Sequence, residues 1–392
     1  MNLKTSIKHF GEVSLQKRRH RIGRQKEIRK FEDPRRVSIY SSVHLTPEQE
    51  KQIDDLFVTH YGQRIPYTWH RHYTAFTGKF DAQYFPELLY IPEFEIYMNT
   101  DLRYAHAFED KNLLKLFAGG VGIRMPETII SCTNGILCDR DYRIIKWNDI
   151  NNLLPDRICF AKPSTLSSSG QGCMLVDKEQ EGILPSLQAL GNNFVIQERL
   201  ICSDSIQKIY PGSVNTFRVM TYFWDGKIHC APVVMRIGRN GSFLDNAHAG
   251  GVFIAVNPDG TLHKTAFTEF KDEFKEHPDT HLVFEGHQIK NFEKVVESAK
   301  RMHAAMPQLG VINWDFTIDK DEVPVLIEAN IMKGGIWIFQ MAWGCGCFGE
   351  NTIAILEWLK EKNKGLSHPS FHLNYRHIIG DGGYRSHEDI RR

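Results

Sequence analysis

Residues 311–330, VINWDFTIDKDEVPVLIEAN, hold two apolar runs of alternating pattern joined by a charged turn. Alternation with a period of two marks a strand, and two such runs around a short polar turn read as a β-hairpin. Ile312, Trp314, Phe316 and Ile318 fall on one face of the first strand, and Asn313, Asp315 and Thr317 on the other. A turn centred between Asp321 and Glu322 sets Asp315 opposite Glu328 and Asn313 opposite Asn330. Like charges directly across a hairpin repel. The face is therefore either solvated or built around a cation. Hard oxygen donors at this spacing suit Mg²⁺, which takes one or two carboxylates and completes its octahedron with water and phosphate.

The rest of the chain must decide between these readings. Its 392 residues allow a large core, and that length implies about two or three domains. No run approaches the roughly 18 apolar residues that a membrane span needs. The N-terminus is polar and basic without an apolar signal core, so cytoplasmic residence is expected. Eight cysteines are scattered without a CxxC pair, which indicates neither a zinc site nor a disulfide framework; mostly buried, reduced thiols are expected. Net charge is only +1, yet residues 15–36 carry ten Lys or Arg against three acids. That stretch is either a solvated arm or one that engages a polyanion such as RNA, an anionic lipid surface or a charged substrate. The charge balance elsewhere argues against a protein devoted to nucleic acid.

Along the chain, TPEQEKQIDDLFVTHYG reads as a helix with Thr46 at the N-cap, Pro47 at the first helical position and Gly62 at the exit. Residues 67–99 are aromatic and punctuated by Pro, which fits a compact irregular lobe. EDKNLLKLFAGGVGI gives another helix, apolar at Leu113, Leu114 and Phe117 and stopped by Gly119 and Gly120. Strands and one helix follow over 157–200, long alternating runs over 214–255, a helix over 290–306 ended by Pro307, the hairpin, and an amphipathic helix from Asn351. Elements that mix without regular alternation favour an α+β fold over a doubly wound sheet.

Three stretches carry further chemistry. In ICFAKPSTLSSSGQGCMLV two strands bracket a Ser- and Gly-rich loop that includes Ser169 and Gly170, with Lys162 ending the first strand. Such a loop is either a phosphate cradle or a mobile hairpin tip; the glycines follow the lysine, so it is not a Walker A motif. Lys111 and Lys115 stand about one helical turn apart, able to face one site or simply solvent. NFVIQERLICSD runs from a buried strand into Asp204, offering backbone groups at Gln197–Leu200 for an adenine edge and an acid for a ribose, or a plain core strand and turn.

The order of these pieces, with Asp315, Glu328 and Asn330 at the end, resembles the ATP-grasp superfamily from about residue 110 to 335. NTFRVMT, DNAHAGGVFIAVNPDG and FDAQYFPELLY are similar to its sugar-transfer-associated group, which is associated with bacterial surface polysaccharides. The resemblance implies two α+β lobes clasping ATP beside an N-terminal helical or irregular lobe. It divides the chain into a basic arm (1–40), an N-terminal lobe (41–109), a lid lobe (110–204), a metal-binding lobe (205–366) and a tail (367–392).

It also implies that Lys111, Lys162, Ser169 and Gly170 contact the nucleotide phosphates, that Gln197, Glu198 and Leu200 hold adenine, and that Asp204 holds the ribose. Asp315, Glu328 and Asn330 would bind one or two Mg²⁺. Arg218 and Arg236, each inside an apolar strand where an unpaired guanidinium is costly, are candidates for the transferring phosphoryl group or members of structural ion pairs. Asn246, His248, Gly250 and Gly251 form either a polar, flexible loop that closes over substrate or an ordinary hairpin turn, with His248 and His70 as candidate bases; Lys333 follows the metal asparagine and is expected near the γ-phosphate, a plain surface lysine being the alternative. The implied activity joins a small-molecule or sugar-linked carboxylate to an amine through an acyl phosphate. A kinase acting on a hydroxyl and a non-catalytic ATP-binding protein are the alternatives.

Overall fold

The structure is a computed structural model that describes residues 3–100, 102–165 and 170–364, the side chains of 3–13, 102 and 103 excepted. Ser169 and the expected tail 367–392 lie outside the described residues. The chain forms two compact units, one of Met1–Met98 with Lys333–Arg392 and the other of Asn99–Met332.

The Asn99–Met332 unit contains two antiparallel sheets. The smaller has β1 (Thr128–Thr133), β2 (Ile136–Asp139), β3 (Ile144–Ile145), β4 (Cys159–Pro163), β5 (Met174–Val176) and β6 (Phe194–Glu198), in the order β3-β2-β1-β6-β4-β5. The larger has β7 (Thr216–Trp224), β8 (Lys227–Cys230), β9 (Val233–Ile237), β10 (Val252–Val256), β11 (Ala266–Phe267), β12 (Glu273–Phe274), β13 (Val311–Ile318) and β14 (Pro324–Asn330). Its order is β12-β11-β10-β9-β7-β13-β14, with β8 also pairing β7. This mixture of helices and antiparallel sheets is the expected α+β class.

Each sheet has its own core. Ile130, Cys159, Phe194 and Ile196 pack with Ile183 and Leu187 of the helix Ile183–Gln188. Phe217, Met235, Ile254, Trp314 and Phe316 pack with Val295, Ala299 and Met302 of the helix Phe292–Ala304. The helix Lys111–Gly120, which falls within the lid lobe of the division above, gives Leu114 and Ala118 to this second core. Its buried stripe is Lys111, Leu114 and Ala118, whereas Leu113 and Phe117 are exposed. The helix is turned so that its first lysine, rather than its greasiest face, points inward. β13 also departs from the half-buried strand expected, because all eight of its residues are buried. β7 and β14 pair both of its edges, and side chains such as Arg218 and Arg236 close over its polar face at Asp315.

In the other unit, the expected irregular segment is mostly helical. Thr68–Thr77 is a helix buried through Phe76, and Glu87–Met98 winds through two short helical turns around a wider turn that carries Pro92. The basic stretch is not a free arm. Its residues up to Lys30 lie in a helix, Leu3–Lys30, that buries His20, Arg24, Glu27 and Ile28, and Arg35 and Arg36 lie in the next, Pro34–Ser41. Arg24 ion-pairs with the fully buried Glu93, which also accepts hydrogen bonds from Tyr61 (2.9 Å) and Asn363 (2.7 Å). A charge leaves water only when paired and hydrogen-bonded in this way.

Thr46 forms the expected capping box with Gln49, and Gly62 closes the following turn at φ 94°. Thr46→Ala is expected to lower stability by about 1 kcal/mol, seen as a shift of the urea midpoint with unchanged slope. All eight cysteines are free thiols, four buried and four partly so. No described helix is long and apolar enough to cross a membrane.

Candidate functional site

The hairpin places Asp315 opposite Glu328 and Asn313 opposite Asn330, as the alternation predicts, but not through the turn expected. The Asp319 N–H donates to the Val323 carbonyl (3.0 Å), and Glu322 adopts φ 60°, so the turn is centred on Asp321, half a step early. A bulge compensates: Phe316 pairs with Leu326 while Asp315 pairs with Glu328, leaving Ile327 extra. Without that extra residue Glu328 would oppose Trp314 and point to the other face.

Two arginines converge on Asp315 from the neighbouring strands. Arg218 lies directly across on β7, its Nε 3.0 Å from Asp315 Oδ1, and Arg236 on β9 brings Nη2 to 3.0 Å from Oδ2. Arg236 is itself held by Thr216, whose hydroxyl oxygen accepts from Nη2 (2.7 Å) and Nε (3.1 Å). Thr216 in turn donates its backbone N–H (3.0 Å) and its hydroxyl to Asp245. Sequence reasoning missed Thr216 and Asp245; a threonine in an apolar strand gives no signal, and only the adjacency of Asp245 to Asn246 hints at the second. Arg236 also lies within ion-pair distance of Asp245 (Nε to Oδ2, 3.6 Å), so it bridges two acids at the cavity edge.

On the opposing wall, Lys111 and Lys162 are both buried, and Lys111 Nζ lies 3.3 Å from Glu328 Oε2. Burial, with the repulsion of Lys111, pushes the Lys162 ammonium down to about 8. Burial would raise the Glu328 carboxyl, but Lys111 and then the shared hydrogen bond with Asp315 and the charge of Lys162 outweigh it and hold it low. Asp315 takes the opposite course: burial pushes it up to about 6 against the pull of Arg218 and Arg236, with Glu328 adding to the rise.

These groups line one cavity of ≈ 970 Å³, counted with its open mouth. Lys111, Lys162, Gly170, Arg236, Asp245, Asp315 and Glu328 border its charged part, and Phe160, Leu175, Leu200, Val214, Phe243 and Ile327 its apolar part. Gly170 is at φ +75°, and a Cβ there would stand 2.6 Å from Leu244 Cδ1, so glycine is required where the loop meets that side chain.

The model of the family described as sugar-transfer associated ATP-grasp matches residues 93–354. The chain belongs to that family. No curated protein matches it. Similar solved structures include an L-amino acid ligase from Bacillus licheniformis, 14% identical, covering 58% of this chain and 41% of that one at a TM-score of 0.35. D-alanyl-alanine synthetase A from Vibrio cholerae O1 biovar eltor is 14% identical at a TM-score of 0.40, covering 67% of this chain and 66% of its own. D-Alanine-D-Alanine Ligase from Helicobacter pylori is also 14% identical, with a TM-score of 0.37 and coverages of 67% and 64%. The chain thus spans about two fifths of the first and about two thirds of the other two.

Not every expected residue of this ATP-grasp chain gathers at the cavity. Gln197, Glu198 and Leu200 border it, although the Glu198 carboxylate accepts the Glu127 N–H (3.0 Å). Asp204 does not: its side chain is 77% exposed and ion-pairs with Lys208 one turn on (2.7 Å). Lys115 packs over the Tyr142 ring rather than joining Lys111. Arg218 touches Asp315 without bordering the cavity. His248 pairs through Nδ1 with Glu269 (2.6 Å) on the turn after cavity-lining Asn246. His70 is fully buried and contacts the Ala82 carbonyl through Nε2, away from any role as a base. Lys333 belongs to the other unit, at φ 59° with its N–H on Glu95 (2.8 Å).

The donor set fits a hard divalent cation. Asn313 Oδ1 is buried without a hydrogen-bond partner among the described residues, and the Asp315 oxygens face Arg218 and Arg236 at 3.0 Å without aligned hydrogen bonds, so these oxygens retain capacity for a further ligand. Among the described residues no cluster of three or more His, Cys, Asp or Glu with metal-holding geometry occurs. Two acids and an amide suit Mg²⁺ that keeps water and phosphate as further ligands, not a dedicated all-protein cage.

Proposed function

We propose that this protein is an ATP- and Mg²⁺-dependent ligase that joins a carboxylate to an amine, releasing ADP and phosphate. The observation that carries the reading is the pair of buried Asp315 and partly buried Glu328, set face to face in one cavity with Lys111, Lys162 and a glycine-bearing loop. Asp315, Glu328 and Asn330 would hold the metal, which when bound neutralises charge on the β- and γ-phosphates. Lys111 and Lys162 contact phosphate oxygens. The apolar slot between Phe160, Leu175 and Leu200 takes adenine, with the backbone of 198–200 at its edge. Asp204 is not part of this set.

Arg236, which borders the cavity, meets the phosphoryl group as the substrate carboxylate attacks, while Arg218 holds Asp315 from behind, so positive charge is fixed in place before it is needed. The loop through Gly170 keeps water from the acyl phosphate until the amine arrives. A sugar acid is the first carboxylate to test, given the family's association with sugar transfer.

Purified protein with Mg²⁺ and ATP, screened across sugar acids and amino acids, is expected to release ADP and phosphate only when carboxylate and amine are both present. Accumulation of a stable phosphorylated hydroxyl without amine would replace the ligase by a kinase.

A further inference from the structure

The helix Leu3–Lys30 presents two faces of opposite character. One buries His20, Arg24, Glu27 and Ile28. At 100° per residue the opposite face gathers Leu15, Arg18, Arg19, Ile22, Lys26 and Arg29 within roughly a 100° arc. All six are exposed, Leu15 at 50% and Ile22 at 40%. From Ser14 to Lys30 the only acid is Glu27, which lies on the buried face and is bonded to Lys30 (2.7 Å). None of Arg18, Arg19, Lys26 and Arg29 makes an ion pair with a described residue.

Four cations without an ion pair among the described residues thus share one face of a chain whose net charge is only +1. Water and salt solvate such a face in the free protein, but its summed potential attracts and concentrates negative charge from outside the chain.

We infer that this face docks the protein on an anionic bilayer surface. The two aliphatic side chains decide between lipid and nucleic acid. Leu15 and Ile22 stand two helical turns apart in the middle of the cationic arc, where they can enter the headgroup boundary while the arginines and lysine meet lipid phosphates. Binding of single-stranded nucleic acid uses exposed aromatic platforms, and from Ser14 to Lys30 the helix has no aromatic residue other than buried His20. With only two apolar anchors the attraction is mainly electrostatic, and hence reversible and weakened by salt. This inference is independent of the ligase reading.

The test is co-sedimentation of the full chain with large unilamellar vesicles of phosphatidylcholine alone or with 30% phosphatidylglycerol, at low and high salt. Binding is expected only to the anionic vesicles and is expected to fade in high salt. Each cation near the surface contributes roughly five-fold, so the variant Arg18→Gln, Arg19→Gln, Lys26→Gln, Arg29→Gln should lose about 100-fold or more in affinity. Its thermal melt should match that of the wild type, since the altered residues touch no core. Leu15→Ser with Ile22→Ser should weaken vesicle binding several-fold while leaving any binding to poly(U) RNA unchanged. Equal binding to neutral vesicles, anionic binding untouched by the four-site variant, or tighter binding to poly(U) than to anionic vesicles would each overturn the inference.

Discussion

Glu328→Gln is expected to lower the turnover of ATP by on the order of 10²–10³-fold, the scale on which removal of one preorganised electrostatic group is felt. Glutamine keeps the shape of the side chain, so the β13–β14 register, set by the backbone ladder and the bulge at Ile327, should stand. The charge does not survive. The metal loses one of its two acids, and Lys111 loses the carboxylate 3.3 Å away. Stability should change little, because losing the Lys111 pair is offset by relief of the repulsion between facing carboxylates. The measurement is ADP release under saturating ATP beside a thermal melt. Asp315→Asn should give a loss of similar size, and the double variant little more, since both acids serve one ion and their effects are not additive. Undiminished function in a double variant that still binds ATP would instead mark the site as a non-catalytic nucleotide switch.

What the sequence disclosed and what it hid divide along a physical line. Local chemistry was legible: the Thr46 capping box, the left-handed Gly62, the alternation that pairs Asp315 with Glu328. Each depends on residues within a turn or a hairpin of one another. Long-range pairing was not. Arg24 reads as a surface cation because its partner Glu93 is 69 residues away, and nothing near it announces burial. The bulge at Ile327 was equally silent, since an isoleucine fits either a regular ladder or an extra position. Thr216 and Asp245 escaped for the same reason: their roles arise where β7, β9 and the loop before β10 meet, 29 residues apart in the chain. Asp204 shows the converse. An acid at the end of a strand run suggested a ribose contact, but a short helix starting there carries it out to Lys208.

Acid should unfold the chain well above the pH at which ordinary carboxylates titrate. Burial lowers His20, His70 and His303 to about 4 and His72 to about 3. Released on unfolding, each imidazole regains a pKa near 6.5 and takes up a proton that the folded form refuses. Their contribution is therefore complete above about pH 6.5 and is lost as pH falls toward 4, at about 2 kcal/mol for each histidine by pH 5. Glu27, raised by burial to about 7, and Asp315, raised to about 6, act in the opposite sense and gain stability as pH falls. The balance is a loss of about 4 kcal/mol between pH 7 and 5, a large share of a typical domain's stability.

The loss is unevenly placed. His20, His70 and His72 belong to the Met1–Met98 segment, whereas in Asn99–Met332 His303 is joined only by His277, which burial also lowers. His303 also has both nitrogens satisfied, Nε2 donating to the Leu309 carbonyl (2.8 Å) and Nδ1 accepting from the Thr221 hydroxyl (2.7 Å). Hydrogen exchange at pH 5 should therefore lose protection in the helix Thr68–Thr77 before it does in β13. His72 gives the sharpest control, because neither of its ring nitrogens has a hydrogen-bond partner among the described residues. His72→Phe should raise stability at pH 5 by about 2 kcal/mol more than it does at pH 7. An equal effect at both values would mean that packing around the ring, not its refusal of a proton, sets the acid limit.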